Sequence, residues 1–151
     1  PWHANLGKRL VKSPKVYVRD SGLLHYFLGI RDRHELLGHP KLGASWEGLV
    51  LEELLRVVPE RDIHFYSTYS GAECDFLVRS GVDLIGFEAK RSDAPALTRS
   101  MRVVLDDLRL KHLFVVYPGP ATFPLHEKVT AIPMALLSTG IEGLLRNRRR
   151  P

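Results

Sequence analysis

The chain has 151 residues, 44% of them hydrophobic, and its 22 lysines and arginines outnumber 17 acidic residues to give a net charge of +5. This composition excludes a disordered chain and fits one domain with a substantial core, while the positive charge permits a polyanionic partner without requiring one. The single cysteine rules out an internal disulfide, and no apolar run approaches the roughly 20 residues needed to cross a membrane, so we expect a cytoplasmic domain with no membrane partner.

The first half of the chain predicts one short strand and two helices. Residues 15–20 predict the strand, because Pro14 disfavours helix in the residue before it. A helix then starts at residue 20 or 21 and ends at Gly29, and the polar stretch 31–40 predicts mainly a connection. The clearest helix covers residues 43–58. Its apolar stripe consists of Leu49, Val50, Leu54 and Val57.

The second half predicts five strands, at residues 63–68, 74–78, 84–87, 113–117 and 129–132. An amphipathic helix at 97–110 separates the third of these strands from the fourth, and broken helical segments follow at 134–145. The run 113–117 is continuously apolar, as in a strand that is buried on both faces. A helix before that strand implies a crossover and a partly parallel sheet. We therefore predict an α/β domain with a mixed sheet flanked by helices.

A tight turn at Gly81-Val82 joins the two central strands and sets their register. Glycine takes positive φ at the first central position of a type II′ turn, which this dipeptide suits. The resulting register puts Asp75 directly opposite Glu88, and period-2 alternation adds Lys90 to the same face. The opposite face carries four apolar residues, Phe76, Val78, Ile85 and Phe87.

The acidic pair Asp75 and Glu88 invites a hard divalent cation. Two carboxylates about 5 Å apart repel each other, which raises the pKa of one of them unless a cation lies between them. A cross-strand ion pair between Glu73 and Lys90 is the simpler alternative, because surface hairpins often carry such pairs. Cys74 is expected to be a small core residue that shares the apolar face of its strand. The chain has no GxxxxGK[ST] loop, so we expect no ATP site in it.

An Asp followed by 12 residues and Glu-x-Lys, here Asp75, Glu88 and Lys90, resembles the PD-(D/E)xK nuclease-like superfamily with its restriction-endonuclease-like fold. Gly-Ala-Ser-Trp-Glu at 43–47 resembles the Gly-x-x-x-Glu on the first helix of its Holliday-junction-resolvase-like members. A closer resemblance, to the C-terminal domain of unknown function of prokaryotic AAA+ ATPases, runs from about residue 6 to about residue 133. Its ordered segments lie at 8–17, 19–23, 46–50 with 53–54, 71–76 (Gly-Ala-Glu-Cys-Asp-Phe) and 87–90 (Phe-Glu-Ala-Lys).

The resemblance implies a nuclease that hydrolyses phosphodiester bonds in DNA with Mg²⁺ or Mn²⁺. Asp75 and Glu88 would hold the metal, helped by the Ala89 carbonyl and by Glu47. Lys90 would position the attacking water or offset charge in the transition state. The catalytic set implied by the resemblance is therefore Asp75, Glu88, Lys90 and Glu47.

Two departures from the family pattern bear on this assignment. Ser67 stands where relatives often carry an arginine, and Glu52 and Glu53 lie on the same helix as Glu47. The resemblance also implies an ATPase module before this domain, which these 151 residues lack. We expect one nuclease-like domain over residues 1–151, with 1–14 and 140–151 extended or peripheral.

Two other functions fit the same sequence. The fold could serve as a non-catalytic module that docks or senses nucleic acid and regulates an ATPase, since a fold alone does not establish a function. The domain could also bind DNA without sequence preference, with binding that falls steeply with salt. The basic residues for DNA contact are Lys8, Arg9, Lys12 and Arg91, with the arginine-rich end of the chain as a further candidate. Such a terminal arginine cluster is more often a solvated tail.

Overall fold

The computed structural model describes residues 10–11, 13–137, 139 and 143. Three of the predicted DNA-binding residues, Lys8, Arg9 and Lys12, lie outside the described residues. Within the described part of the chain, no helix is long and apolar enough to cross a membrane.

The described residues form four named α-helices, which are Ser21–Phe27 (α1), Arg33–Gly38 (α2), Leu42–Leu55 (α3) and Arg99–Leu108 (α4). A short 3₁₀ helix, Glu60–Asp62, follows α3, and residues 134–137 are also helical. The Asp32 side chain accepts a hydrogen bond from the Glu35 backbone N–H at the start of α2. This cap, together with the ion pair of Arg31 and Glu35, makes a helix in the stretch that was predicted mainly as a connection.

Six strands form one mixed sheet, and they are Ile63–Ser67 (β1), Glu73–Ser80 (β2), Asp83–Ala89 (β3), His112–Tyr117 (β4), Phe123–His126 (β5) and Val129–Pro133 (β6). Their order in the sheet is β1-β2-β3-β4-β6-β5. The pairs β3/β4 and β4/β6 are parallel, and the other pairs are antiparallel. The crossover through α4 confirms the predicted mixed α/β sheet. The edge strand β5 was not predicted, because Pro124 lowers the strand signal and is tolerated only at such an edge.

Each face of the sheet carries one apolar cluster, covered by a different helix. The α3 face includes Val50, Leu54, Phe76, Val78, Ile85, Phe87 and Phe114. The α4 face includes Cys74, Leu77, Met101, Val104, Leu105, Leu113 and Val115. All six residues of β4 are buried, which confirms the strand predicted to be covered on both sides.

The segment of residues 15–20 is not a strand, contrary to the sequence prediction. Its side chains are bound to α3 instead: Lys15 Nζ lies 2.9 Å from Glu47, and Arg19 Nε lies 2.6 Å from Glu52. Two charged contacts, four residues apart, therefore hold the segment along the helix. The strand was predicted from the position of Pro14 before this segment, but residues 15–20 do not pair with a strand of the described sheet.

The central hairpin follows its predicted register. Ser80 pairs with Asp83, Val78 with Ile85, and Phe76 with Phe87. Gly81 has a φ of +65°, as a first central residue of the predicted turn requires. The turn therefore fixes which residues of β2 and β3 lie side by side.

Replacing Gly86 in β3 by Ala is expected to lower the free energy of unfolding by about 1–3 kcal/mol. A Cβ at this position would lie 2.7 Å from Leu113 Cδ1 and 2.8 Å from Leu110 Cδ1, in the buried α4 face. Gly48→Ala is the matched control, because a Cβ there meets nothing within 4 Å and favours the helix. Urea unfolding measures both variants, and equal stability of the two would contradict the crowding at Gly86.

Candidate metal and catalytic site

A β-bulge in β2 sets the direction of the Asp75 side chain. His64 pairs with Leu77 and Tyr66 with Cys74, so two steps along β1 match three steps along β2. The extra residue lies in the Asp75-Phe76 part of β2, where a bulge interrupts the alternation of faces.

Because of the bulge, two side chains lie on faces other than those predicted. Cys74 joins the α4 face, whereas the prediction put it on the face of Phe76; it is nevertheless a fully buried core residue, as predicted. Asp75 was predicted on the face opposite Phe76, but both residues contact the segment that lies along α3. Asp75 Oδ1 is 3.1 Å from Lys15 Nζ, and the ring of Phe76 lies 6.1 Å from that of Tyr17.

Glu88 approaches the end of β2 from the other face of the sheet. It pairs with Val115, which belongs to the α4 face, while its neighbours Phe87 and Ala89 contact the α3 face. The prediction that Asp75 and Glu88 project from one face is therefore wrong, because the bulge reverses the orientation of Asp75 but not that of Glu88.

The two carboxylates nevertheless meet at the opening between β2 and β3. The Ala89 backbone N–H donates to Asp75 Oδ2 at 3.0 Å. In return, the backbone N–H of Asp75 interacts with the Glu88 carboxylate and favours its ionised form. At this point, hydrogen bonds to side chains replace the regular backbone hydrogen bonds between β2 and β3. The carboxylate of Asp75 interacts with the backbone of β3, and that of Glu88 interacts with the backbone of β2.

Glu88 and Lys90 form the second part of the site. Lys90 Nζ lies 2.8 Å from Glu88 Oε1, so Lys90 points towards Glu88, as predicted. Glu88 is only 5% exposed, and its Oε2 has no hydrogen-bond partner among the described residues. Burial, and then the charge of Asp75, raise the pKa of Glu88 to about 7, although Lys90 opposes this shift.

A lysine that the sequence prediction did not include, Lys15, lies inside the acidic cluster. Its Nζ is 2.9 Å from Glu47 Oε1, 2.8 Å from Glu73 Oε1 and 3.1 Å from Asp75 Oδ1. The Tyr17 hydroxyl also donates to Glu47 Oε1. Lys15, Tyr17 and Arg19 lie at alternate positions of their segment, but this local pattern does not indicate a contact with α3.

The charges in this cluster affect one another. Burial is the largest influence on the Lys15 ammonium and lowers its pKa, but Asp75 and the two glutamates outweigh it and raise the pKa overall. The pKa of Asp75 is also raised, first by burial and then by Glu47, against the opposing effect of Lys15. At Asp75, burial and the charge of Glu47 thus outweigh the effect of the Lys15 ammonium.

The structure distinguishes between the three glutamates of α3. Glu47 reaches the cluster of Asp75 through Lys15. Glu52 accepts a hydrogen bond from Arg19, and Glu53 pairs with Arg56 at 3.5 Å. Glu47 is therefore the helix glutamate that lies with Asp75, as the resemblance implies.

The carboxylate groups at this site are of the type that binds a hard cation. In the observed arrangement of the side chains, however, they do not form a metal site. Asp75, Glu88 and Glu47 offer carboxylate oxygens, the ligands that Mg²⁺ and Mn²⁺ prefer, and Glu88 Oε2 lacks another partner in the described residues. No group of three or more His, Cys, Asp and Glu residues in the described ranges has the geometry to hold a metal ion. Lys15 lies between Glu47 and Asp75, so a divalent ion would require its ammonium to move.

Two more of the predicted features can be located. The alternative ion pair between Glu73 and Lys90 is not the contact observed, since Glu73 contacts Lys15 and Lys90 contacts Glu88. Arg91 directly follows Lys90 in the chain and is exposed.

The family model of a domain of unknown function, DUF4143, matches residues 42–137. The model of a second domain of unknown function, DUF8612, matches residues 1–34. Uncharacterised proteins of Mycobacterium tuberculosis and Mycobacterium bovis are each 49% identical to this chain over 141 residues, which are 93% of this chain and 32% of each relative. The chain therefore spans about a third of the length of these curated relatives. No solved structure matches the chain.

Proposed function

The chain belongs to the DUF4143 family of domains of unknown function, and from this premise we propose that it is a metal-dependent, PD-(D/E)xK-type nuclease domain that acts on DNA. The observation that carries the proposal is the environment of Glu88. This buried carboxylate has one oxygen without a hydrogen-bond partner in the described residues, contacts Lys90 at 2.8 Å and lies beside Asp75. An acidic pair with an adjacent lysine at the end of two central strands is the arrangement that a restriction-endonuclease-like core would need.

Each residue has a role in this proposal. Asp75, Glu88 and Glu47 would hold Mg²⁺ or Mn²⁺, which polarises a phosphate and lowers the pKa of a bound water. The Lys90 side chain is 40% exposed, so its ammonium is accessible from solvent while it contacts Glu88. There it offsets the negative charge that develops on the phosphate. Arg91 adds positive charge at the same edge and contributes to DNA binding.

The same proposal extends to the rest of the protein. The curated relatives are about three times as long as this chain, which spans 32% of each. We infer that an ATPase module in the full-length protein, or a separate ATPase partner, controls the cytoplasmic domain. Lys8, Arg9 and Lys12 are proposed to extend the DNA contact.

A second candidate function is favoured by the position of Lys15. Its ammonium contacts Glu47, Glu73 and Asp75, and it thereby supplies a positive charge that a metal would otherwise provide. On this reading, the domain is a non-catalytic module that docks a partner and regulates an ATPase. It then binds an ATPase module, does not require Mg²⁺ or Mn²⁺ and does not cleave DNA.

A cleavage assay with matched variants tests the first candidate. Supercoiled plasmid and branched DNA are incubated with Mg²⁺ or Mn²⁺, and the cleavage rate of the wild type is compared with those of Asp75→Asn and Lys90→Met. Each variant is expected to lose roughly 100-fold or more in rate, since both groups act on the charge of the reacting phosphate.

The controls are Asp83→Asn and Lys111→Met, which remove the partners of another lysine–carboxylate contact at the opposite end of the hairpin. They are expected to keep the wild-type rate. Equal cleavage by the wild type, Asp75→Asn and Lys90→Met would exclude this site as the source of activity. Absence of cleavage, together with a stable complex with an ATPase module, would favour the second candidate.

A further inference from the structure

Lys15 uses the oxygens that a divalent ion would need. It contacts Asp75 through Oδ1, and the other oxygen of that carboxylate accepts a hydrogen bond from the Ala89 backbone. Lys15 also contacts Glu47 Oε1 and Glu73 Oε1. An ammonium and a divalent cation at this cluster would therefore compete for the same carboxylate oxygens.

Charge favours exchange of the ammonium for a divalent ion. Glu47, Glu73 and Asp75 contact Lys15, and Glu88 contacts Lys90, so four carboxyl groups share two ammonium groups. A divalent cation compensates this charge more fully and accepts several oxygen ligands at short distances. The energetic cost of exchange is the loss of the lysine contacts and the movement of the segment that carries them.

A further ligand lies beside the cluster. Glu88 is 5% exposed, and its Oε2 lacks a hydrogen-bond partner among the described residues, although Asp75 is close enough to affect its charge. This buried oxygen is not used by Lys15. The Oε2 atom of Glu88, unpartnered in the described part of the chain, is a separate observation, and it indicates that the site can bind a cation in addition to the contacts that Lys15 makes.

The segment that carries Lys15 can move without breaking the sheet. Residues 14–18 form no helix or strand, and Val16, next to Lys15, is 89% exposed. Tyr17 holds the segment to α3 through its hydroxyl contact with Glu47 and its ring contact with Phe76. Withdrawal of Lys15 therefore disrupts a few side-chain contacts while β2 and β3 keep their backbone pairing.

We propose that Lys15 is an internal competitor of the divalent cation, so that Mg²⁺ or Mn²⁺ enters the site only when the Lys15 ammonium leaves Glu47, Glu73 and Asp75. The proposal rests on the proposed function for what the cation does afterwards, but it concerns cation binding alone. It also adds Glu73 to the residues that can hold the cation. A partner that binds the segment of residues 13–18 would control the site by moving this lysine.

Manganese binding by the whole chain tests the proposal. Free Mn²⁺ is measured by electron paramagnetic resonance during titration of the wild type, Lys15→Met, Lys15→Arg and Lys111→Met. Lys15→Met is expected to bind Mn²⁺ at least about tenfold more tightly than the wild type, because it removes a competing charge of the same sign. Lys15→Arg keeps the charge and is expected to bind weakly, and Lys111→Met controls for the loss of one lysine that contacts a carboxylate elsewhere.

A second measurement needs no variant. The ammonium resonances of ¹⁵N-labelled wild type are followed by nuclear magnetic resonance during titration with Mg²⁺. The Lys15 signal is expected to shift towards that of a solvated lysine, while the Lys111 signal stays unchanged. Binding of Mg²⁺ with an unchanged Lys15 signal would overturn the proposal, as would equal Mn²⁺ affinity of folded Lys15→Met and the wild type.

The results also separate this inference from the proposed function. Tighter Mn²⁺ binding by Lys15→Met without cleavage of DNA would support competition and exclude the nuclease. Metal-dependent cleavage by the wild type and Lys15→Met with equal Mn²⁺ affinity would support the nuclease and exclude competition.

Discussion

Replacing Phe87 by Ala is expected to lower the free energy of unfolding by about 3–5 kcal/mol, the usual cost of truncating a fully buried aromatic residue. Phe87 is 0% exposed and belongs to the apolar cluster that joins α3 to the sheet. Its ring lies 5.5 Å from that of Phe114 on the neighbouring strand. The substitution leaves a cavity next to Glu88 and loosens the contact with the helix that carries Glu47. Urea or thermal unfolding measures the effect.

Phe27→Ala is the matched control, because it makes the same change at a position that is 72% exposed. The free energy of unfolding of this variant is expected to stay within about 0.5 kcal/mol of the wild type. Comparable losses in Phe87→Ala and Phe27→Ala would contradict the view that the α3 face forms the core. If Phe87→Ala folds, weaker Mn²⁺ binding is also expected, since this core positions both Glu47 and Glu88.

The hairpin could be predicted because adjacent residues determine both its turn and its register. A glycine with positive φ fixes the turn, and the turn fixes the register as far as Phe76 and Phe87. The buried strand β4 was also predicted, since a short uninterrupted apolar run is typical of a strand that is covered on both faces. Both features follow from a few adjacent residues.

The orientation of the acidic residues was not predictable in the same way. The bulge at Asp75-Phe76 depends on how β2 pairs with β1, and the sequence of β2 alone has no glycine or proline to mark it. The predicted register therefore holds as far as Phe76 and Phe87, but alternation predicted the wrong face for Asp75. A single inserted residue is enough to change the faces of both Cys74 and Asp75 from those that alternation predicted.

The contact of Lys15 with the acidic cluster depends on still longer distances in sequence. Lys15 and Asp75 are 60 residues apart, and Lys15 and Glu47 are 32 apart. These contacts can be recognised only when the positions of α3 and of the end of β2 in the fold are known. Local propensity instead predicted a strand for the Lys15 segment, so a competing cation could not be inferred before the fold was known.

Replacing Glu88 by Gln is expected to stabilise the protein at about pH 8 and to have little effect at about pH 4. Burial and the charge of Asp75 raise the pKa of Glu88 from its ordinary value of 4.5 to about 7. Because the folded protein holds this proton more tightly than the unfolded chain does, the wild type loses stability as the pH rises from 4.5 to about 7. At about 1.4 kcal/mol per pH unit, the full interval corresponds to roughly 3 kcal/mol.

Glutamine has no titrating proton, so this loss is absent from Glu88→Gln, and its advantage over the wild type grows across that interval. The lost contact with Lys90 reduces the gain, which makes roughly 3 kcal/mol an upper value. Chemical unfolding at several pH values measures the difference, with Glu60→Gln as a control because the Glu60 side chain is 81% exposed. Parallel pH profiles for Glu88→Gln and the wild type would mean that Glu88 is ionised throughout, and that its buried oxygen is already compensated by a positive charge.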